Sequence, residues 1–113
     1  MEQPLNTDQT TLVAAWQERL PDVIDGNDSF TVQADAASPN SLLLHFNAAG
    51  RQEYSLDFRC TYVDNREVQV QLVDVEKAGR HEDEHTAAVQ QLASHYTRQI
   101  HECAQSLQDL TNP

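Results

Sequence analysis

Hydrophobic residues recur with the period of an α-helix over the last third of the chain. Intervals of three and four residues separate them, which places them on one stripe of a helix: Val89, Ala93, Tyr96, Ile100, Cys103, Leu107 and Leu110. Because neither Gly nor Pro interrupts the pattern, it predicts a single helix from about Glu82 to Leu110. Such a helix would be roughly 40 Å long, more than a domain of this size needs for its own core. We therefore expect part of it to contact a partner.

The apolar positions change to a period of two between residues 30 and 73, in four separate runs. The alternation is clearest from Tyr54 to Tyr62, where every second side chain is apolar. This period is typical of a strand that is buried on one face only. Turn-forming residues stand between the elements, at positions 25–28, 38–40, 48–51 and 64–65. Short connections between such strands favour an antiparallel meander with one apolar and one polar face.

A shorter helical pattern precedes the strands. Thr7 or Asp8 can cap it, and Pro21 ends it. One face of this helix is apolar and carries Leu12, Ala15, Trp16 and Leu20. The predicted fold class is therefore α+β: an N-terminal helix, a four-stranded antiparallel meander sheet and a long C-terminal helix, with both helices on one face of the sheet. We expect one domain over residues 1–113, in which residues 1–7 are disordered and residues 111–113 are frayed.

The polar positions of the predicted strands lie on the sheet face opposite the helices. Five of them form a candidate binding surface: His45, Asp57, Arg59, Gln69 and Gln71. His45 would belong to a pH-sensitive or ligand site with Asp57 and Arg59 if neighbouring strands bring the three together, since histidine changes charge near neutral pH. The sequence does not fix the register of the strands, so this grouping is a hypothesis about the fold as well as about function.

The charge balance limits the possible partners. Eighteen acidic residues against seven basic ones give a net charge of −11. Because nucleic acids and anionic membranes carry charge of the same sign, we expect neither as a partner, and a basic protein partner is the natural expectation. No apolar run approaches the roughly 20 residues of a membrane-spanning helix, and no secretory signal is recognisable. These observations predict a cytoplasmic protein.

The two cysteines, Cys60 and Cys103, both fall on predicted core faces and lack the spacing of a metal or redox motif. Buried, reduced thiols are the expectation for such positions in the cytoplasm, and a disulfide from strand to helix is the alternative.

One motif suggests chemistry. The segment from His81 to His85 reads His-Glu-Asp-Glu-His, which satisfies the pattern H-E-x-x-H. It resembles the active-site motif of zinc peptidases, in which two histidines four residues apart on a helix hold the metal and the glutamate activates a water molecule. The resemblance implies zinc ligands at His81 and His85 and a catalytic role for Glu82. It covers five residues of the chain.

Two features of the segment depart from that family. The two middle positions are Asp83 and Glu84, and burying two carboxylates in a packed active-site helix is costly. A third metal ligand is also missing, since Glu102 would lie about 25 Å from His85 along the same helix. The alternative interpretation is that residues 82–84 form an acidic first turn, where the helix dipole favours negative charge.

Three functional hypotheses follow. The first, which needs the fewest special features, is a small acidic protein-binding module, an adaptor or chaperone-like protein that forms a homodimer through its long helix. It requires no cofactor. The second is a zinc-dependent hydrolase that uses the motif around Glu82. The third is an acidic mimic of nucleic acid that binds a basic protein, although its acidic residues are spread along the chain.

Overall fold

The chain folds into a five-stranded antiparallel sheet with helices packed on one of its faces. The structure, a computed structural model, describes residues 5–24, 28–48 and 54–111. The predicted turns at positions 25–27 and 49–51 lie outside the described residues. The elements in chain order are α1 (Gln9–Arg19), a 3₁₀ helix (Leu20–Asp22), β1 (Ser29–Ala34), β2 (Ser41–Asn47), β3 (Tyr54–Tyr62), β4 (Val68–Lys77), β5 (Arg80–His81), α2 (Ala87–Ser106) and α3 (Gln108–Thr111).

The first helix begins where the sequence predicted. Asp8 is its N-cap residue, and the backbone N–H of Thr11 donates a 2.7 Å hydrogen bond to Asp8 Oδ1. Hydrogen bonding to Thr11 also holds the pKa of Asp8 below its usual value. Leu12 and Trp16 are fully buried, which confirms the predicted apolar face.

The strands are ordered β1-β2-β3-β4-β5, so each strand pairs with its neighbour in sequence, as in the predicted meander. Every second residue of β3 is buried, from Tyr54 to Tyr62. These side chains form one hydrophobic core with residues of both α1 and α2, including Trp16 and Tyr96. Both helices therefore cover the same face of the sheet, which confirms the predicted fold class.

The sheet extends beyond its predicted end at Val73. Strand β4 continues to Lys77, and Ala78 and Gly79, with φ angles of 53° and 79°, turn the chain into the two-residue strand β5. The register between β3 and β4 shifts at one place: Asp57 pairs with Asp74, but the next residue, Phe58, pairs with Leu72. Val73 is thus the extra residue of a β-bulge.

The long helix is shorter than predicted. It begins at Ala87 instead of Glu82, because Thr86 caps it: Thr86 Oγ1 accepts a 3.2 Å hydrogen bond from the N–H of Val89. Its first turn contains no acidic residue, so the predicted acidic first turn is also wrong. The stripe itself is confirmed, and its residues pack against the chain's own sheet, with Val89, Ile100 and Cys103 fully buried. No helix in the described ranges is long and apolar enough to cross a membrane.

The two thiols are free and buried in the core. Burial raises the pKa of Cys60 well above the usual range and that of Cys103 from 9.0 to about 12. The folded state therefore favours the protonated thiols. Their contribution to stability is complete below the unfolded pKa of about 9 and is lost as the pH rises towards the folded values.

We expect neither thiol to react with Ellman's reagent in the folded protein at about pH 8, because reaction requires an accessible thiolate. Both should react once guanidinium chloride unfolds the chain. A thiol titration with and without denaturant measures this difference. One fast-reacting thiol in the folded protein would contradict the burial of the pair.

Candidate binding face of the sheet

All five residues of the predicted binding surface lie on the outer face, which we define as the sheet face opposite α1 and α2. The register places His45 directly opposite Asp57, and Arg59 directly opposite Gln71. Gln69 follows on the same side of β4, opposite Thr61. Side chains from three adjacent strands are thereby held on one surface by the backbone of the sheet.

His45 and Asp57 form a close pair at the centre of this face. The distance between His45 Nδ1 and Asp57 Oδ1 is 2.6 Å, and the two side chains are 35% and 40% exposed. A half-exposed pair of this kind contributes at most about 1 kcal/mol to stability. Its stronger effect is to orient the imidazole ring, since the contact with Asp57 leaves Nε2 as the ring nitrogen available to a ligand.

Arg59 is held by a residue outside the predicted surface. Its Nε donates to Asp35 Oδ2 at 3.2 Å, and the Asp35 side chain is only 8% exposed. The other oxygen, Asp35 Oδ1, accepts a hydrogen bond from the N–H of Ala37 at 2.9 Å. The guanidinium is thus held in place by a buried carboxylate. Asp35 was not among the predicted site residues, because the alternating pattern marks it only as a polar position at the end of the first strand.

Three carboxylates cluster beside the His45–Asp57 pair. One oxygen each from Asp57, Asp74 and Glu76 lies within 4.8 Å of the other two, and this is the single group of three possible metal ligands in the described part of the chain. His81 adds to it, with its Nδ1 2.9 Å from Asp74 Oδ1. Oxygen ligands at such spacing suit a hard divalent cation such as Mg²⁺ or Ca²⁺. They equally suit the cationic side chain of a partner protein.

A shallow depression of about 390 Å³ opens on the outer face next to this cluster. Its apolar residues include Leu43 and Val73, and its polar residues include Thr31, Gln33, His45 and Asp57. Val73 is 47% exposed and is one of two large hydrophobic residues exposed among those described, the other being Val63 at 54%. Asp74 lines the same depression, because the β-bulge places two successive residues of β4 on the outer face.

A pattern in the sequence already indicates this bulge. Apolar residues occupy even positions up to Leu72, but the next buried apolar residue is Val75, at an odd position. Strict alternation cannot produce that change, whereas one inserted residue does. The buried position of Val75, and with it the outward positions of Asp74 and Glu76, were therefore predictable from this spacing.

The segment from His81 to His85 does not have the helical geometry of a zinc peptidase motif. His81 lies in β5, and Glu82 and His85 lie in the irregular segment before α2. The two histidine side chains are 79% and 82% exposed, and their Nδ1 atoms contact different carboxylates, Asp74 and Asp83. The one-turn spacing that would align the two rings on a helix is therefore absent from this segment. The hydrolase hypothesis loses the geometry on which it depended.

No protein-family model, curated protein or solved structure matches this chain. The functional conclusion therefore rests on the chemistry and the exposure of the outer face.

Proposed function

We propose that this protein is a small acidic binding module, of the adaptor or chaperone-like kind, that presents the outer face of its sheet to another protein. The observation that supports this most directly is the depression on that face, where an exposed valine, Val73, stands among polar side chains that are held by hydrogen bonds and ion pairs. Apolar floors with a few oriented polar groups are typical of binding sites.

The rigidity of the sheet supports the proposal. His45, Asp57 and Arg59 project from β2 and β3, which pair with a strand on both sides, so little conformational entropy is lost when a partner binds. His45 and Arg59 are each held by a carboxylate before any partner arrives. Because Val73 is already about half buried, removing the rest of its side chain from water would add about 1 kcal/mol.

The charge of the molecule favours a basic partner. The net charge of −11 attracts cations over long distances, and the cluster of Asp57, Asp74 and Glu76 lies beside the depression. Complementary charge of this kind increases the rate of association and excludes anionic competitors. A partner segment that carries lysine or arginine next to an apolar residue would match both features. The cytoplasmic location and the homodimer expected from the sequence stay predictions.

The substitution Val73→Asp tests the proposal, and Val63→Asp is its matched control. Both replace an exposed valine, so neither removes core packing, but Val63 is not among the residues that line the depression. We expect the Val73→Asp protein to lose partners that the wild type captures from a lysate of the source cells, by tenfold or more in quantitative mass spectrometry. The Val63→Asp protein should retain them.

Arg59→Glu is a poor test of the same face, because a new carboxylate beside the buried Asp35 would disturb the fold. Identical sets of captured proteins for the wild type and both valine variants would show that the outer face is not the binding surface.

A further inference from the structure

The two edges of the sheet are protected differently. On β1, the side chain of Gln17 from α1 donates a 3.1 Å hydrogen bond to the carbonyl of Val32, so the helix occupies part of this edge. On β4, strand β5 pairs only with Glu76 and Lys77, and the N–H of Glu82 donates to the carbonyl of Val75. The earlier part of β4, from Val68 to Leu72, pairs with β3 on one side and with no described strand on the other.

The backbone of this segment is directed towards the open side. The N–H of Tyr62 donates to the carbonyl of Asn40, which lies on the β2 side of β3. The N–H of the next residue, Val63, points the other way and donates to the carbonyl of Glu67, on the β4 side. Val68, which pairs with Tyr62, therefore directs its own N–H and carbonyl away from β3. Because the directions of the backbone N–H and carbonyl groups alternate from residue to residue, those of Val70 and Leu72 also point away from β3. Three residues thus offer, along one edge, backbone donors and acceptors that have no strand partner among the described residues.

The sequence of this edge lacks the usual protection against pairing. From Val68 to Val73 it reads Val-Gln-Val-Gln-Leu-Val, with neither a charged residue nor a proline. Proteins that remain monomeric usually place lysine, proline or a covering element at such an edge. An uncovered, uncharged edge strand is accordingly a site for the addition of another strand.

We propose that the strand that pairs with this edge is β4 of a second copy of the same chain. The residues from Val68 to Leu72 alternate apolar and polar in the same order when read in either direction. A twofold axis at Val70 would therefore place Val68 opposite Leu72 of the second copy, and Gln69 opposite Gln71. The two sheets would continue into one, and the two outer faces would lie side by side. This proposal does not depend on the function of the outer face.

The proposed register brings opposite charges together at each end of the segment. Arg66 lies two residues before Val68 and Asp74 two residues after Leu72. The antiparallel arrangement therefore brings Arg66 of each copy towards Asp74 of the other, although Asp64 and Glu76 also approach each other. The net charge of −11 on each copy opposes association at longer range. Because salt screens the distant charges more than the close pairs, we expect the dimer to be weaker at low ionic strength.

The structure also has room for a second copy. A depression of about 540 Å³ lies beside the start of β4, between this strand and the second half of α2. Its lining includes Val68, His101, Ala104 and Gln105. The buried stripe of α2 cannot form the interface, whereas this edge and the adjacent depression remain accessible.

Sedimentation velocity of the full-length chain tests the proposal with two proline variants. Val70→Pro removes an N–H that faces the open edge, so it leaves the hydrogen bonds between β3 and β4 intact while blocking the added strand. Ala34→Pro makes the same change at the covered edge, because the hydrogen bond from the N–H of Asp35 to Ser41 directs the N–H of Ala34 away from β2. We expect the wild type and Ala34→Pro to sediment as dimers and Val70→Pro as a folded monomer.

Cysteine variants test the register independently of whether the proline variant folds. Gln69→Cys and Gln71→Cys proteins are mixed in equal amounts and oxidised gently. The proposed register predicts mainly disulfides between the two different variants, because only residues 69 and 71 face each other across the axis. A wild type that remains monomeric at all concentrations and salt levels would overturn the proposal, as would a folded Val70→Pro dimer or the absence of any preference for the mixed disulfide.

Discussion

Replacing Trp16 with alanine is expected to lower the free energy of unfolding by about 3–5 kcal/mol. The side chain is fully buried between α1 and the sheet, and its Nε1 donates a 3.3 Å hydrogen bond to the hydroxyl of Tyr62. Removing it leaves a large cavity and an unpaired phenol. Since a domain of this size has only about 5–15 kcal/mol of stability, this one change would remove a large part of it.

Urea denaturation followed by far-ultraviolet circular dichroism measures the effect, because the variant lacks the only tryptophan and has no tryptophan fluorescence. Tyr62→Phe is the control, since it removes the hydrogen bond but keeps the ring, and it should cost about 1 kcal/mol. If Trp16→Ala lost no more than this control, the packing of α1 on the sheet would have to be different from that described.

Tyr96 is the second position with a large expected effect. Its ring stacks on Phe46 with the centroids 4.6 Å apart and the planes 17° from parallel, and its hydroxyl donates to Asp28 Oδ2 at 2.7 Å. The stacking on Phe46 attaches α2 to β2, the strand that also carries His45. We expect Tyr96→Ala to lower the free energy of unfolding by about 3–5 kcal/mol, because a stacked, buried ring is replaced by a cavity.

Tyr96→Phe separates the ring from the hydroxyl and should cost about 2 kcal/mol, because the hydroxyl donates to a carboxylate. Chemical denaturation of both variants, followed by the fluorescence of Trp16, gives the comparison. Because the register of the sheet does not depend on the hydroxyl, Tyr96→Phe should retain the partners of the wild type. A cost for Tyr96→Phe equal to that for Tyr96→Ala would show that the hydroxyl, and not the stacked ring, attaches the helix.

The sequence predicted the architecture because its periodicities are strong. The alternation from Tyr54 to Tyr62 and the stripe from Val89 to Leu107 each correspond to a buried face in the structure. The ends of elements were less predictable. Helix α2 starts at Ala87, five residues after the predicted start at Glu82. Thr86 caps it, so the first turn is satisfied without the acidic segment.

The candidate site was predictable only in part. The period of two assigned His45, Asp57 and Arg59 to one face, but pairing requires the register, which local sequence does not encode. The register brings the expected trio together, because His45 lies opposite Asp57 and both line the same depression as Arg59, which Asp35 holds in place. Val73 was left out of the candidate surface because only polar residues were chosen for it, although strict alternation along β4 already places Val73 on the outer face.

The outer face and the open edge of β4 are adjacent but separable surfaces. Val73 lines the depression of the outer face, whereas the backbone N–H and carbonyl of Val70 point away from β3 at the open edge. The Val73→Asp and Val70→Pro variants therefore test the two surfaces one at a time. If both surfaces are used, each dimer would present two copies of the outer face to its partners and bind a partner with two matching segments more tightly than the monomer does.

The most direct test of the proposed function is to map the contact surface of a captured partner by NMR. Backbone amide shifts of the ¹⁵N-labelled chain are recorded as a segment of that partner is added. The proposal predicts that the largest changes fall on the outer face, at residues such as Thr31, Gln33, His45, Asp57 and Val73. Changes concentrated on the exposed sides of α1 and α2, with the outer face unaffected, would contradict it.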